Sequence, residues 1–236
     1  KREKKVTLGI KYMLDMKLLI ISSFFTLIIL TISSSFFWYK YPEEKYPKYF
    51  TLFSVFFLIG QALTSSRNII PDSLSIILGN LLLVSGYIFL YIGVKALLNL
   101  EAKWHNRYFI PILVTLLGFI IFTYVYYDVA MRIIIFSVFC IFYGSIVGWM
   151  FLKNATKKFK VFDYLSSFFF FIGVGIFIFR TFRASTIGIP ANYLSTTDLM
   201  ITLAYVYLFF IIIWMTIIQI IHIVYRSSHE KPKNLL

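Results

Sequence analysis

Residues 201–225 read ITLAYVYLFFIIIWMTIIQIIHIVY and contain no Asp, Glu, Lys or Arg. A helix needs roughly 17–25 predominantly apolar residues to cross the hydrocarbon core of a bilayer. This stretch meets that requirement, and six more runs resemble it: Leu18–Tyr39, Tyr49–Ser66, Ser73–Val94, Tyr108–Tyr127, Val129–Leu152 and Val161–Phe182. Breakers fall between them, with Pro42 and Pro47 in the first linker, Pro71 in the second and Pro190 in the sixth. Pro111 sits in the first turn of the fourth run, where a missing N–H costs little. Ser73, after Asp72, is the expected cap of the third helix. The fourth and fifth runs meet at Asp128, which requires a very tight turn.

Composition agrees. Of 236 residues, 60% are hydrophobic, 20% aromatic and only 14% charged, against about 45–50% apolar and about 25% charged in soluble domains. A water-soluble fold would expose large apolar patches, whereas in lipid that surface is the normal exterior. The expected fold is therefore an all-α integral membrane protein, a seven-transmembrane helical bundle over residues 18–225. A basic N-terminal tail (1–17) precedes it and a short tail (226–236) follows. The run after the basic start is too long for a signal-peptide core and lacks a small-residue cleavage site, so it reads as a retained helix.

The net charge of +13 does not point to nucleic acid, because the basic residues cluster in short linkers between apolar runs and no recognition motif accompanies them. Linkers one, three and five and the C-terminal tail carry Lys40, Lys45, Lys48, Lys95, Lys103, Arg107, Lys153, Lys157, Lys158, Lys160, Arg226, Lys231 and Lys233. Linkers two, four and six carry only Arg67, Arg132, Arg180 and Arg183. The positive-inside rule then places the C-terminus in the cytoplasm and the N-terminus outside. The basic residues of the N-terminal tail, Lys1 to Lys17, pull the other way.

The sets differ in kind as well as number: one is almost all Lys, the other all Arg. Arg makes fixed, forked hydrogen bonds to carboxylate or phosphate, while Lys is a mobile point charge. Asp72, Asp128 and Asp198 fall at the same level as the four arginines. Two readings stand. The charges pair and tie the outer ends of the helices together, or they line an outward-facing site for a small anionic or zwitterionic ligand. The second reading takes Arg67, Asp72, Asn80, Asp128, Arg132, Arg180 and Arg183 as ligand contacts, with Tyr124, Tyr126, Tyr127, Tyr193 and Trp214 as aromatic walls. Within the spans, Gln61, Asn80, Gln219 and His222 are the clearest polar groups, and each needs a partner in lipid. Gln61 is read as a helix-packing residue. So are Gly144 and Gly148, whose GxxxG spacing suits either contact inside the chain or a dimer seam. The remaining glycines look scattered, and no internal repeat is visible.

No catalytic motif is legible. The single Cys140 and the dispersed His105, His222 and His229 make no metal set. Phosphate loops and nucleophile motifs do not occur. The expectation is a non-enzyme without cofactor or metal, whose partners are the lipid bilayer, the small ligand, and a membrane protein or a second copy of the chain. Lys/Ile/Phe-rich usage suits an AT-rich genome, and the expected location is a bacterial cytoplasmic (inner) membrane.

The stretch Gly60–Val94, GQALTSSRNIIPDSLSIILGNLLLVSGYIFLYIGV, together with Leu14-Asp15-Met16-Lys17 ahead of the first run, resembles the membrane sensor region that precedes GGDEF domains in bacterial diguanylate cyclases. The likeness rests on Arg67, Pro71, Asp72, Ser75, Asn80, Gly86 and Gly93. It implies an extracytoplasmic N-terminus, seven helices and a sensing role that biases a cytoplasmic output domain. After Tyr225 the sequence reads RSSHEKPKNLL, with no GGDEF signature. The expected function is accordingly a membrane sensor or signalling module belonging to a longer protein, or an accessory subunit of a membrane complex. A small-solute transporter is disfavoured, because no pair of broken helices and no midplane charge is seen.

Overall fold

The computed structural model describes the backbone of residues 2–67, 69–101, 109–187 and 199–229. Among these residues the regular structure is entirely helical. The helices are α1 (Arg2–Lys40), α2 (Tyr46–Ser65), α3 (Gly79–Leu97), α4 (Phe109–Ile120), α5 (Val129–Lys153), α6 (Lys160–Ile187) and α7 (Leu199–His229). A π-helical stretch, Ser73–Leu78, leads directly into α3, and a second, Ile121–Val125, ends α4.

Among the described residues, five helical stretches are long and apolar enough to cross a membrane: Leu18–Lys40, Ser73–Leu97, Val129–Lys153, Lys160–Thr186 and Thr202–Arg226. Ile110–Val125 is a shorter apolar helix. The chain is thus an all-α bundle with multi-pass membrane character. The other two expected spans differ for local reasons. Helix α2 opens on Pro47 and Lys48 and closes on Gln61, Thr64 and Ser65, which dilutes its apolar middle. The fourth run is cut to α4 plus one π stretch by the turn at Tyr126–Asp128.

Each helix packs on the next in sequence, and α7 returns to α1, so the seven form a closed ring with α3 and α5 also touching across it. The main core draws Leu27 and Leu30 from α1, Phe50, Phe53 and Phe57 from α2, Leu90 and Val94 from α3, Phe151 from α5, and Ile212, Met215 and Ile218 from α7. Outward faces are aliphatic and aromatic: Ile21, Phe25, Ile29, Ile32 and Phe36 on α1 and Leu113, Val114 and Leu117 on α4 are all exposed. Lipid tails are as apolar as these side chains, so close packing and polar links must hold the ring together. Both are present. The Gln61 amide of α2 donates to the Ser23 hydroxyl of α1. Ser34 of α1 donates to Gln219 Oε1 of α7 at 3.0 Å, Ser167 of α6 to the Gly148 carbonyl of α5 at 2.8 Å, and Trp214 of α7 to Ser166 of α6 at 2.8 Å.

Glycines set the closest approaches. A Cβ on Gly60 would lie 2.9 Å from the Gly79 carbonyl oxygen, so α2 and α3 meet backbone to backbone there. Gly86 lies under the Phe57 ring and Gly93 under Phe50. Gly79, Gly86 and Gly93 recur every seventh residue and present one flat stripe of α3 to α2, an order the sequence reading took for scatter. Gly144 and Gly148 face Val174, Phe170 and Phe171 of α6 in the same chain.

The end carrying the lysines has its own arrangement. Lys40, Lys48, Lys158 and Lys160 stand over the rings of Phe36, Trp38, Tyr225 and Tyr164 at 5.3–5.8 Å, as basic residues do at a membrane interface. Helix α3 ends in a Schellman turn: Leu100 N–H donates to Lys95 O and Asn99 N–H to Ala96 O, with Asn99 left-handed at φ 56. Arg226 of α7 pairs with Glu44 of the α1–α2 linker and donates to Asn99 Oδ1 at 3.1 Å. It thereby ties three elements together at this end.

The glycine stripe is testable by thermal unfolding of the purified chain in mild detergent. Gly60→Val drives a side chain into the α3 backbone and is expected to cost about 1–3 kcal/mol, the scale of overpacking. Gly175→Ala, with nothing within 4 Å of the new carbon, is expected to stay within about 0.5 kcal/mol of the parent.

Candidate functional site

The end opposite the lysines holds a cavity of about 140 Å³. Four helices and the turn after α2 bring polar groups to it. Helix α2 contributes Gln61 and Thr64, and the turn after it contributes Arg67. Asn80 comes from the start of α3, Arg132 from the first turn of α5, and Arg180 from α6. Helix α7 closes the side with Ala204, Tyr205, Tyr207 and Leu208. The remaining wall is apolar, formed by Phe57, Ile76, Leu83, Tyr87, Phe119, Ile133, Phe136 and Phe177 among others.

Local folding explains each arginine's place. Helix α2 stops at Ser65, where Ser66 N–H turns back on Ala62 and Leu63, and the Ile69 and Ile70 N–H groups return to Ser66 O. Arg67 rides on that turn, half-buried. Arg132 is held by the tight connection from α4 to α5. Asp128 Oδ1 caps α5 by accepting the Met131 N–H at 3.1 Å, and Asp128 N–H donates to Phe122 O at 3.1 Å. This leaves Arg132 only 5% exposed. Its Nη1 reaches Thr123 Oγ1 in the π-helical turn at 3.5 Å, and its guanidinium lies 4.8 Å from the centre of the Tyr127 ring. Arg180, one helical turn beyond Phe177, is half-buried and has neither a hydrogen bond nor an ion pair among the described residues. Both π-helical stretches fall at this end, and π-helical turns concentrate at functional sites.

No carboxylate stands among the described lining residues. Three guanidiniums therefore share one partly apolar space, where their mutual repulsion is less screened than in water. A bound anion neutralises it and accepts forked hydrogen bonds that Lys supplies poorly.

The sequence-selected residues divide clearly. Arg67, Asn80, Arg132 and Arg180 share the cavity, and Gln61, selected as a packing residue, both ties α2 to α1 and lines it. Asn80 does not bridge helices: its amide donates to Ile76 O of its own helix at 2.6 Å. Asp72, Asp128 and Arg183 lie off the described lining. Asp72 is exposed and makes no side-chain cap, and Ser73 does not take the capping role expected of it; the chain enters the π stretch through the Pro71 carbonyl, which accepts from Leu74 and Ser75 N–H. Asp128 spends its carboxylate on α5. Tyr124, Tyr126 and Tyr127 are exposed at the α4–α5 turn, and Trp214 sits between α6 and α7. None of these four lines the cavity. Asp198 and Tyr193 fall outside the described residues. The wall residues Phe57, Tyr87, Phe119 and Tyr207 carried no sequence signal that set them apart from other membrane aromatics.

Among the described residues, no group of His, Cys, Asp and Glu is arranged to hold a metal. No protein-family model, curated protein or solved structure matches this chain.

Proposed function

We propose that the chain is a membrane sensor module whose ligand is a small anionic or zwitterionic molecule, bound from the extracytoplasmic side of a bacterial inner membrane. One observation carries the reading: Arg67, Arg132 and Arg180, from three separate elements, converge on one cavity, where Arg132 and Arg180 make no ion pair among the described residues. The lysine-rich opposite end supports the orientation, as does the Gly60–Val94 resemblance to the sensor regions of diguanylate cyclases. Seven spans, counting α2 and α4 as crossings, fit the odd-numbered layout that this orientation requires.

Helix α7 supplies the route for a signal. Its first turns, Ala204 to Leu208, touch the cavity, and its far end carries Arg226, fixed to Glu44 and Asn99. A ligand that favours one seating of α7 against α6 shifts that far cluster, and only through such differential affinity does it change the populations of two bundle packings.

Orientation is read by labelling intact cells with an impermeant maleimide, in a Cys140→Ser background that removes the single, buried cysteine. Ser185→Cys at the cavity end is expected to label and Ser228→Cys at the lysine end to remain unlabelled. The reverse pattern overturns the proposed topology.

Binding and coupling are read together on the purified chain in phosphatidylcholine nanodiscs. Phosphate at 100 times its Kd is expected to raise the unfolding free energy by about 2.7 kcal/mol and to alter amide exchange in α7 near Tyr225 and Arg226. Arg132→Leu/Arg180→Leu is expected to lose both effects. If neither phosphate nor glycine betaine stabilises the parent protein, the ligand-binding reading fails. If binding leaves α7 exchange unchanged, the sensing part of it fails.

A further inference from the structure

Below the arginine-lined cavity lies a second, smaller space of about 20 Å³, bounded by Phe53, Leu90, Phe170, Ile211, Ile212 and Met215, with no charged residue among its described lining. Phe57, Tyr87, Tyr207 and Leu208 line both spaces. The two therefore adjoin and share one wall. Four helices repeat the same order along their length: Gln61, Phe57, Phe53 on α2; Asn80, Tyr87, Leu90 on α3; Arg180, Phe177, Phe170 on α6; and Ala204, Leu208, Met215 on α7. From Arg180 to Phe170 the axis descends about 15 Å at the helical rise, passing from guanidinium to hydrocarbon without another charge.

From this gradient we infer that the ligand is an amphipathic anion: a single short hydrocarbon chain bearing one carboxylate or phosphate. Its head sits among Arg67, Arg132 and Arg180, and its tail points down the bundle toward Phe170 and Met215. The inference rests on the anion-site reading above and names the ligand class for it. An inorganic anion would use the arginines and leave the aromatic wall of Phe57, Phe119, Phe136 and Phe177 idle. A diacyl lipid would not fit spaces of this size. The combination of a mostly apolar enclosure with a few convergent polar groups is the usual make-up of an organic-ligand site.

Tyr207 stands between the two spaces. Its ring packs directly onto Gly173, where a Cβ would collide with it, and meets Phe177 edge-on at 6.4 Å. Glycine at 173 thus sets the bore at the passage from head site to tail site. Ala at this position pushes the Tyr207 ring into the passage without touching any arginine.

The test is a chain-length series on the full chain in phosphatidylcholine nanodiscs, with affinities of phosphate, acetate, butyrate and hexanoate measured by competition or calorimetry. Burying a methylene is worth about 0.8 kcal/mol, so affinity is expected to rise about fourfold for each added carbon from acetate to hexanoate. Gly173→Ala is expected to flatten the series while phosphate affinity stays within about twofold. Leu208→Ala, which enlarges the shared wall without a clash, is expected to keep the rise and provides a second reading if Gly173→Ala folds poorly. A flat series on the parent protein with phosphate binding intact overturns the amphipathic ligand and leaves the anion site standing. Loss of all binding, phosphate included, overturns the underlying reading instead. Doping the discs with phosphatidylglycerol checks the size limit: hexanoate affinity is expected to stay unchanged, and competition by this diacyl lipid would overturn the single short chain in favour of a bilayer lipid.

Discussion

A charge inside a lipid-embedded bundle has to face a partner or water, and this constraint shapes one end of the ring. Arg67, Arg132 and Arg180 occupy a common space, and neither Arg132 nor Arg180 pairs with a carboxylate among the described residues. Asp128 sits in the same turn as Arg132's helix start yet is committed to the Met131 N–H, and Asp72 points to the exterior. Arg132 makes do with a long contact to Thr123 and the face of Tyr127. Self-repelling charge held open by a rigid frame costs stability, and such costs concentrate where a ligand compensates them.

The frame that keeps the arginines apart is built from short-range fits rather than hydrophobic drive, since lipid offers apolar side chains no reason to prefer one another. The glycine stripe of α3 lets α2 approach until the Gly60 region meets the Gly79 carbonyl. Gly144 and Gly148 do the same for α5 against α6. Ser34 and Gln219 close the ring between its first and last helices. At the far end, the Schellman turn of α3 presents Asn99 to Arg226, and Glu44 completes the cluster. Helix α7 is therefore anchored at one end by fixed polar bonds and borders the cavity at the other, the arrangement that a rigid element between two sites requires.

Much of this was legible in the chain itself. Apolar runs separated by Pro and charge give the helices to within about five residues, because the cost of an unsatisfied backbone in lipid leaves little alternative; the exception is α1, which begins at Arg2 inside the segment read as a basic tail, since apolar patterning marks only the part of a helix that lipid can hold. The segregation of Arg from Lys identified three residues that the fold brings together, since the two cations are suited to different tasks. Other features were not readable. Gly79, Gly86 and Gly93 look unordered until α2 is placed opposite them. The π-helical turns leave no mark in composition. The carboxylates were assigned to the site by level alone, and level does not say which way a side chain is committed: Asp128 caps a helix and Asp72 faces outward. The aromatic wall could not be separated from the many Phe and Tyr that face lipid.

The most direct measurement is an experimental density map of the chain in a nanodisc with phosphate present, at a resolution that shows side chains. The account predicts isolated density between the Arg67, Arg132 and Arg180 guanidiniums, within forked hydrogen-bond distance of at least two of them, above an apolar floor of Phe57, Tyr87 and Tyr207. A map in which carboxylates of the same chain occupy that space and pair with the arginines would contradict it, and would make the cluster a structural tie between helix ends.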